Sequence, residues 1–314
     1  MKANTAQVSS LKKWIIAARP WALPASTMPV IFGTSLAVVI GGARLKPFHF
    51  LLALLGMVIL HSAANMLSDV FDYKRGLDKD VTPVSGAIVR GWLSAQNVAA
   101  GAAVLFVLGS AIGLVLVWLT GKVLLIIGAV GVAIGLFYSA LKYHALGDFS
   151  VFFDFGILGS LGAWVVQTRS FSLLPAVWAV PMAMLVIAIL HANNWRDIVT
   201  DSERKVKTMA SLLGDKGSSG YYAFLIFGSM AIIIGLILLP RIISPSLTAM
   251  PSSFIIIVLA LPKALNLWER AVRRREPIKP MDFIILDGAT ANYNLVFGLL
   301  CTAAVWLHYL LRIL

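Results

Sequence analysis

Two short stretches carry residue types that can do chemistry at a spacing that lets them cooperate. In NMLSDVFD, Asn65, Asp69 and Asp72 stand at i, i+4 and i+7; in NNWRDIVTD, Asn193, Asp197 and Asp201 stand at i, i+4 and i+8. At 3.6 residues per turn each set falls on one face of a helix. An amide and two carboxylates on one face form a hard oxygen site. Mg²⁺ suits such ligands but sheds its waters reluctantly, so it is usually shared between one or two carboxylates and a phosphate. The cations point to the same ligand. Lys74, Arg75, Arg196, Lys205 and Lys207 lie within a few residues of the carboxylates, and Lys142 stands in another loop. A site for a bare metal has no use for them, whereas a diphosphate bridged by Mg²⁺ uses both signs of charge. The competing reading of these cations is a topology signal.

The elements that must position these residues are membrane spans. Of 314 residues, 59% are hydrophobic and 13% charged, against about 25% charged in an ordinary soluble domain, and the mean hydropathy is +0.88. A helix needs about 20 apolar residues to cross the hydrocarbon. Nine segments qualify, near 21–42, 48–71, 95–118, 122–140, 149–168, 174–195, 219–239, 251–268 and 290–311. The fold class is therefore all-α, a nine-helix polytopic bundle forming a single domain over residues 1–314. Sorting the 26 Lys and Arg by loop puts 20 on one side and 6 on the other. The positive-inside bias makes the first side cytoplasmic, with the N-terminus inside and the C-terminus outside. The 14 acidic residues all fall on the cytoplasmic loops or adjoining helix ends. The net charge of +12 thus follows topology and is not a nucleic-acid footprint. No signal peptide is expected ahead of the first span, and the single Cys301 excludes a disulfide framework.

Positions 65 and 193, and 69 and 197, are both 128 apart. That constant offset suggests an internal duplication, familiar in membrane proteins with a site between repeats. Gly76 offers a helix stop after the first motif, with Asp78 just beyond it.

With these motifs in place, the chain resembles the UbiA superfamily of intramembrane prenyltransferases over roughly residues 14 to 310. The family pattern is an Asn and two Asp on the second helix, a second Asp-rich motif on the sixth, and Tyr-x-x-x-Lys after the fourth, here Tyr138 and Lys142 in YSALK. Within it, ARPWALPASTMPVIFGTSLA, NNWRDIVTDSERKVKT and Gln167–Thr168 are similar to the 1,4-dihydroxy-2-naphthoate prenyltransferases of menaquinone synthesis; where those commonly carry a second Asn, this chain has Ser68. The resemblance implies a membrane enzyme whose Asp69, Asp72, Asp197 and Asp201, with Asn65 and Asn193, bind two Mg²⁺ bridging a polyprenyl diphosphate. Lys142, Arg196, Lys205 and Lys207, with Lys74 and Arg75 beside them, would neutralise the leaving group. An aromatic acid then attacks the allylic cation. Asp78, Asn194, His61, His191 and Arg19 are further candidates: Asp78 as a third carboxylate or a loop charge, the histidines as proton shuttles or core residues, and Arg19 as an anchor for the acceptor carboxylate or an interfacial side chain.

Other classes stay open on residues alone. Another aromatic acceptor, such as 4-hydroxybenzoate or homogentisate, needs the same diphosphate site. A secondary transporter also suits paired repeats and rim carboxylates, but transporter sites lie near the bilayer midplane, whereas these acids lie at one rim.

Overall fold

The computed structural model describes residues 8–77, 81, 86–243, 248–274 and 281–313. The chain runs through α1 (Ser10–Ala18), α2 (Pro24–Val39), α3 (Pro47–Lys74), α4 (Ala95–Thr120), α5 (Lys122–Lys142), α6 (Gly147–Val151), a π-helical stretch (Phe152–Leu158) and α7 (Gly159–Thr168). It continues through α8 (Leu174–Arg196), α9 (Ile198–Glu203), α10 (Met209–Ile243), a 3₁₀ stretch (Ser252–Ala260), α11 (Leu261–Val272), α12 (Met281–Ile284) and α13 (Leu286–Ile313). No strand occurs among the described residues, only an isolated bridge between His144 and Lys207.

Seven helices, with Gly147–Thr168 as one, are long and apolar enough to cross a membrane, and eight if the bent pair Ser10–Ala22 and Pro24–Val39 is one span. The eighth expected span, 251–268, is split into 3₁₀ and α pieces of 9 and 12 residues. Pro262 lies at the start of the second piece, where its missing N–H has no intrahelical partner to lose. In the sixth, α8 stops at Arg196, and Asp197 takes a non-helical conformation before α9 begins. Asn193, Asp197 and Asp201 therefore do not share the face of one straight helix, although the Asp201 N–H still donates to the Asp197 carbonyl at 2.9 Å.

One continuous core joins α2, α7, α8, α10, the 3₁₀ stretch and α13. At its centre Phe254 meets Phe32 and Trp178 edge-on, with ring centroids 6.2 and 6.1 Å apart. α4 packs chiefly on α3, and the outer faces of α4 and α5 are apolar and exposed, as lipid-facing surfaces must be. Trp118 on that outer face is 84% exposed.

Phe254→Ala leaves a void that the packed bundle cannot close, a loss of about 3–5 kcal/mol. Thermal unfolding in detergent should show a midpoint several degrees lower, while Trp118→Ala should leave it in place.

Candidate active site

The motif residues lie at helix ends on one side of the bundle, and the three loops that follow them are tied to one another. α3 ends because Gly76 adopts φ 68°, which a side chain would strain; its N–H donates to the Tyr73 carbonyl and the Leu77 N–H to that of Asp72, both at 3.0 Å. α5 ends at Lys142, with Tyr143 as its cap. Leu77, Tyr143 and Val206, one from each loop, then pack as a small buried cluster. The Ala145 N–H donates to the Lys207 carbonyl at 2.6 Å and the Lys207 N–H to that of Tyr143 at 3.2 Å.

Asp69, Asp72 and Asp201 are each met by charge from another segment, and Asp197 by its neighbour Arg196. Asp72, 7% exposed, accepts from Lys142 Nζ at 3.1 Å, from the Tyr143 hydroxyl at 2.8 Å and from Ser68 Oγ at 3.5 Å. Burial, reinforced by Asp72, holds the Tyr143 hydroxyl above the ordinary phenol pKa, so it stays a donor. Asp201 is buried and attracts the same Lys142 ammonium, which thus answers to both motifs. Asp69 pairs with Arg19 at 2.5 Å, and Gly86 lies so close that a Cβ there would overlap the carboxylate. Arg19 reaches it from the break between α1 and α2, where its own backbone is left-handed at φ 52° ahead of Pro20. Arg196 grips Asp197 with two bonds of 3.0 and 2.8 Å, donates to the Asn193 amide oxygen, and reaches Asp287 at 3.3 Å and the Ile284 carbonyl at 3.2 Å.

A cavity of about 110 Å³ opens among these groups, walled by Asn65, Asp72, Tyr138, Lys142 and Asn193, with Arg19, His61 and Asp287 also on its surface. An apolar groove of about 360 Å³ adjoins it between α3, α4, α5 and α7. Ala64, Gly135, Asp154 and Phe155 line both. Among the described residues, no three His, Cys, Asp or Glu side chains converge as a metal cage. The donor set is all oxygen, in pairs already matched by cations. Such a set fits a hard cation that completes its coordination on phosphate oxygens.

The other expected site residues divide. His61 faces the cavity, its Nδ1 2.7 Å from Ser26 Oγ and its ring on Phe155 at 4.2 Å. His191 is a core residue: fully buried, it bonds the Ser218 carbonyl at 3.3 Å. Asn194 is buried away from the cavity. Lys74, Lys205 and Lys207 are exposed outside it, and Arg75 lies over the Tyr143 ring at 4.0 Å. Asp78 lies outside the described residues. Tyr143, Asp287 and Asp154 lie at the site but outside the two spaced motifs. Tyr143 directly follows the Tyr-x-x-x-Lys motif and was findable; the other two carried no motif signal.

Comparison with known proteins gives the family. Residues 26–286 match the UbiA prenyltransferase family, and the chain belongs to it. It is 32% identical over 225 residues to UbiA prenyltransferase domain-containing protein 1 of Danio rerio, covering 70% of this chain and 66% of that protein. To its namesake in Mus musculus it is 30% identical over 293 residues, covering 91% and 81%. It is 28% identical over 297 residues to the 1,4-dihydroxy-2-naphthoate octaprenyltransferase of Bacillus subtilis (strain 168), covering 93% and 91%. In fold it is similar to a UbiA homologue from Archaeoglobus fulgidus bound to GPP and Mg²⁺, with a TM-score of 0.60 and 15% identity over 93% of this chain and 99% of that one. The protein is an integral membrane prenyltransferase.

Arg196→Met removes the guanidinium that answers both Asp197 and Asp287 and leaves two half-buried carboxylates without it. The melting temperature in detergent should fall by several degrees. Arg196→Lys, with no fork to span the two acids, should fall between that variant and the native protein.

Proposed function

We propose that this chain transfers a polyprenyl group from a polyprenyl diphosphate to 1,4-dihydroxy-2-naphthoate, with loss of the ring's carboxylate, giving demethylmenaquinone and diphosphate. The observation that carries the reading is the continuity of the polar cavity with the apolar groove. A ligand that fills both has an anionic head and a long apolar tail. The Bacillus subtilis relative, named for this acceptor and matched along nearly its whole length, supports the choice of ring.

In this reading Asp69, Asp72, Asp197 and Asp201, with Asn65 and Asn193, hold two Mg²⁺ through the diphosphate, as the ligands of the Archaeoglobus homologue support. The ions supply positive charge against the leaving group. Lys142 is held at the cavity by Asp72, and Arg196 by Asp197 and by Asp287, the second of which lines the cavity, so their ammonium and guanidinium need little reorganisation to meet the departing phosphate. Tyr143 fixes the Asp72 carboxylate from the other side. Tyr138 lies on the cavity wall beside Lys142, and the groove takes the prenyl chain. Lys74, Arg75, Lys205 and Lys207 act as a cationic rim that draws the diphosphate in. The motif-bearing end faces the cytoplasm and the C-terminus the other side, by the bias of Lys and Arg. The two Asn–Asp motifs are the ends of duplicated halves within one domain.

The test is transfer of a radiolabelled polyprenyl group by purified protein in detergent, with Mg²⁺ or EDTA, to a panel of aromatic acids. Mg²⁺-dependent prenylation of 1,4-dihydroxy-2-naphthoate with loss of CO₂ is expected. Transfer only to another ring keeps the reaction and replaces the acceptor; transfer to none overturns the reading. Asp69→Asn and Asp72→Asn should each lower kcat by at least about 10²–10³-fold, the scale of losing a group that stabilises transition-state charge. Native turnover in either would contradict the site.

A further inference from the structure

The apolar run SVFFDFGILG contains a carboxylate to which diphosphate binding gives no role. Asp154 lies about two turns into the span Gly147–Thr168, and an ionisable residue at such depth is a functional hypothesis by default. Its backbone belongs to the π-helical stretch Phe152–Leu158, a geometry frequent at functional sites. The carboxylate rests against Gly131 and Gly135, one turn apart on α5. A Cβ on Gly131 would lie 3.0 Å from Oδ1, and one on Gly135 3.9 Å from Oδ2, so the two glycines form a notch for it. Unlike Asp69, Asp72, Asp197 and Asp287, each paired with an Arg or Lys, Asp154 has no ion pair or hydrogen bond to a described residue.

Its position says what it meets. Of the four residues shared by the polar cavity and the apolar groove, Asp154 alone has a polar side chain. In a prenyl diphosphate the boundary between anionic head and apolar tail is C1, the carbon that the acceptor attacks. A group on the wall at that boundary faces the ring as it approaches C1.

Resting on the function proposed above, we infer that Asp154 binds the hydroxyl of the acceptor ring and takes its proton as the new bond forms. The C1–O bond breaks and its electron pair leaves with the diphosphate. The ring carbon bearing the carboxylate gives an electron pair to C1, the neighbouring hydroxyl gives its proton to Asp154, and its oxygen becomes a ketone. The product is a β-keto acid. It loses CO₂, the electron pair of the broken C–C bond moves to the ketone oxygen, and Asp154 returns the proton. The aromatic diol and the carboxylate are both restored, with no further reactant.

The experiment compares the native protein with Asp154→Asn and Asp154→Glu, using 1,4-dihydroxy-2-naphthoate and its 1-O-methyl ether. Ring binding is read from quenching of naphthoate fluorescence, and turnover from radiolabelled transfer. The native protein should bind the hydroxyl form about 10- to 100-fold more tightly than the ether, the scale of a hydrogen bond to a charged group. Asp154→Asn should lose most of that preference and about 10²–10⁴-fold in kcat, the usual range for a general base. Its affinity for a non-reactive prenyl thiodiphosphate should not change, and its melting temperature should hold or rise, because an unpaired buried carboxylate has been removed. Asp154→Glu should keep the preference with reduced kcat, and it decides the matter if the Asn variant does not fold. An unchanged hydroxyl preference, or native kcat, in Asp154→Asn overturns the inference while native transfer leaves the function standing. Absence of transfer by the native protein overturns the function itself.

Discussion

A carboxylate at the rim of a bilayer has little water to solvate it, so it must be answered by a cation, a hydrogen-bond donor or a ligand. Much of the arrangement at this end of the bundle follows from that constraint. Asp69 is answered from the break between α1 and α2, Asp72 from the end of α5, and Asp197 and Asp287 by one arginine at the end of α8. None of these pairs is a local helix contact between neighbouring turns, apart from Arg196 beside Asp197. These pairs tie separate segments together, and two of them hold Arg19 and Lys142 at the wall of the cavity.

The hydrophobic frame makes those pairs possible. α2, α7, α8, α10 and α13 share one core, while α4 and α5 give their outer faces to lipid. On the inner side that looser pair leaves the groove, which joins the polar cavity where small residues, Ala64 and Gly135, thin the wall. The loops beyond the acid-bearing helix ends are fastened by the Leu77, Tyr143 and Val206 cluster and by the bridge at Lys207. The polar end is thus tied across its loops at the described residues and open along its groove, as a site for a head-and-tail ligand must be.

Part of this was legible in the chain. Apolar segment lengths gave the positions of most spans, and Asn65, Asp69 and Asp72 could be placed on one face because α3 runs through them as a regular helix. Gly76 marked its end for a reason of backbone geometry. The second motif was less legible: its spacing also suits a helix, but the chain turns at Asp197, where the bidentate grip of Arg196 is available to a residue leaving the helix. The partners were hardest to foresee, because Arg19 and Asp69, or Arg196 and Asp287, meet only through tertiary packing. Asp154 falls inside the expected span 149–168 and not at its cytoplasmic end, and a single acid in an apolar run shows nothing of the notch opposite it. His191, one turn from its motif like His61, turned out to face the core, a difference of helix rotation that spacing does not fix.

The central claim is that the carboxylates form no cage of their own and bind a divalent ion only together with a diphosphate. Electron paramagnetic resonance of Mn²⁺, titrated into purified protein with and without a non-reactive prenyl thiodiphosphate, tests it directly. The account predicts weak binding of the ion alone and tight, saturable binding when the diphosphate is present. Tight binding without it, or none with it, would contradict the account.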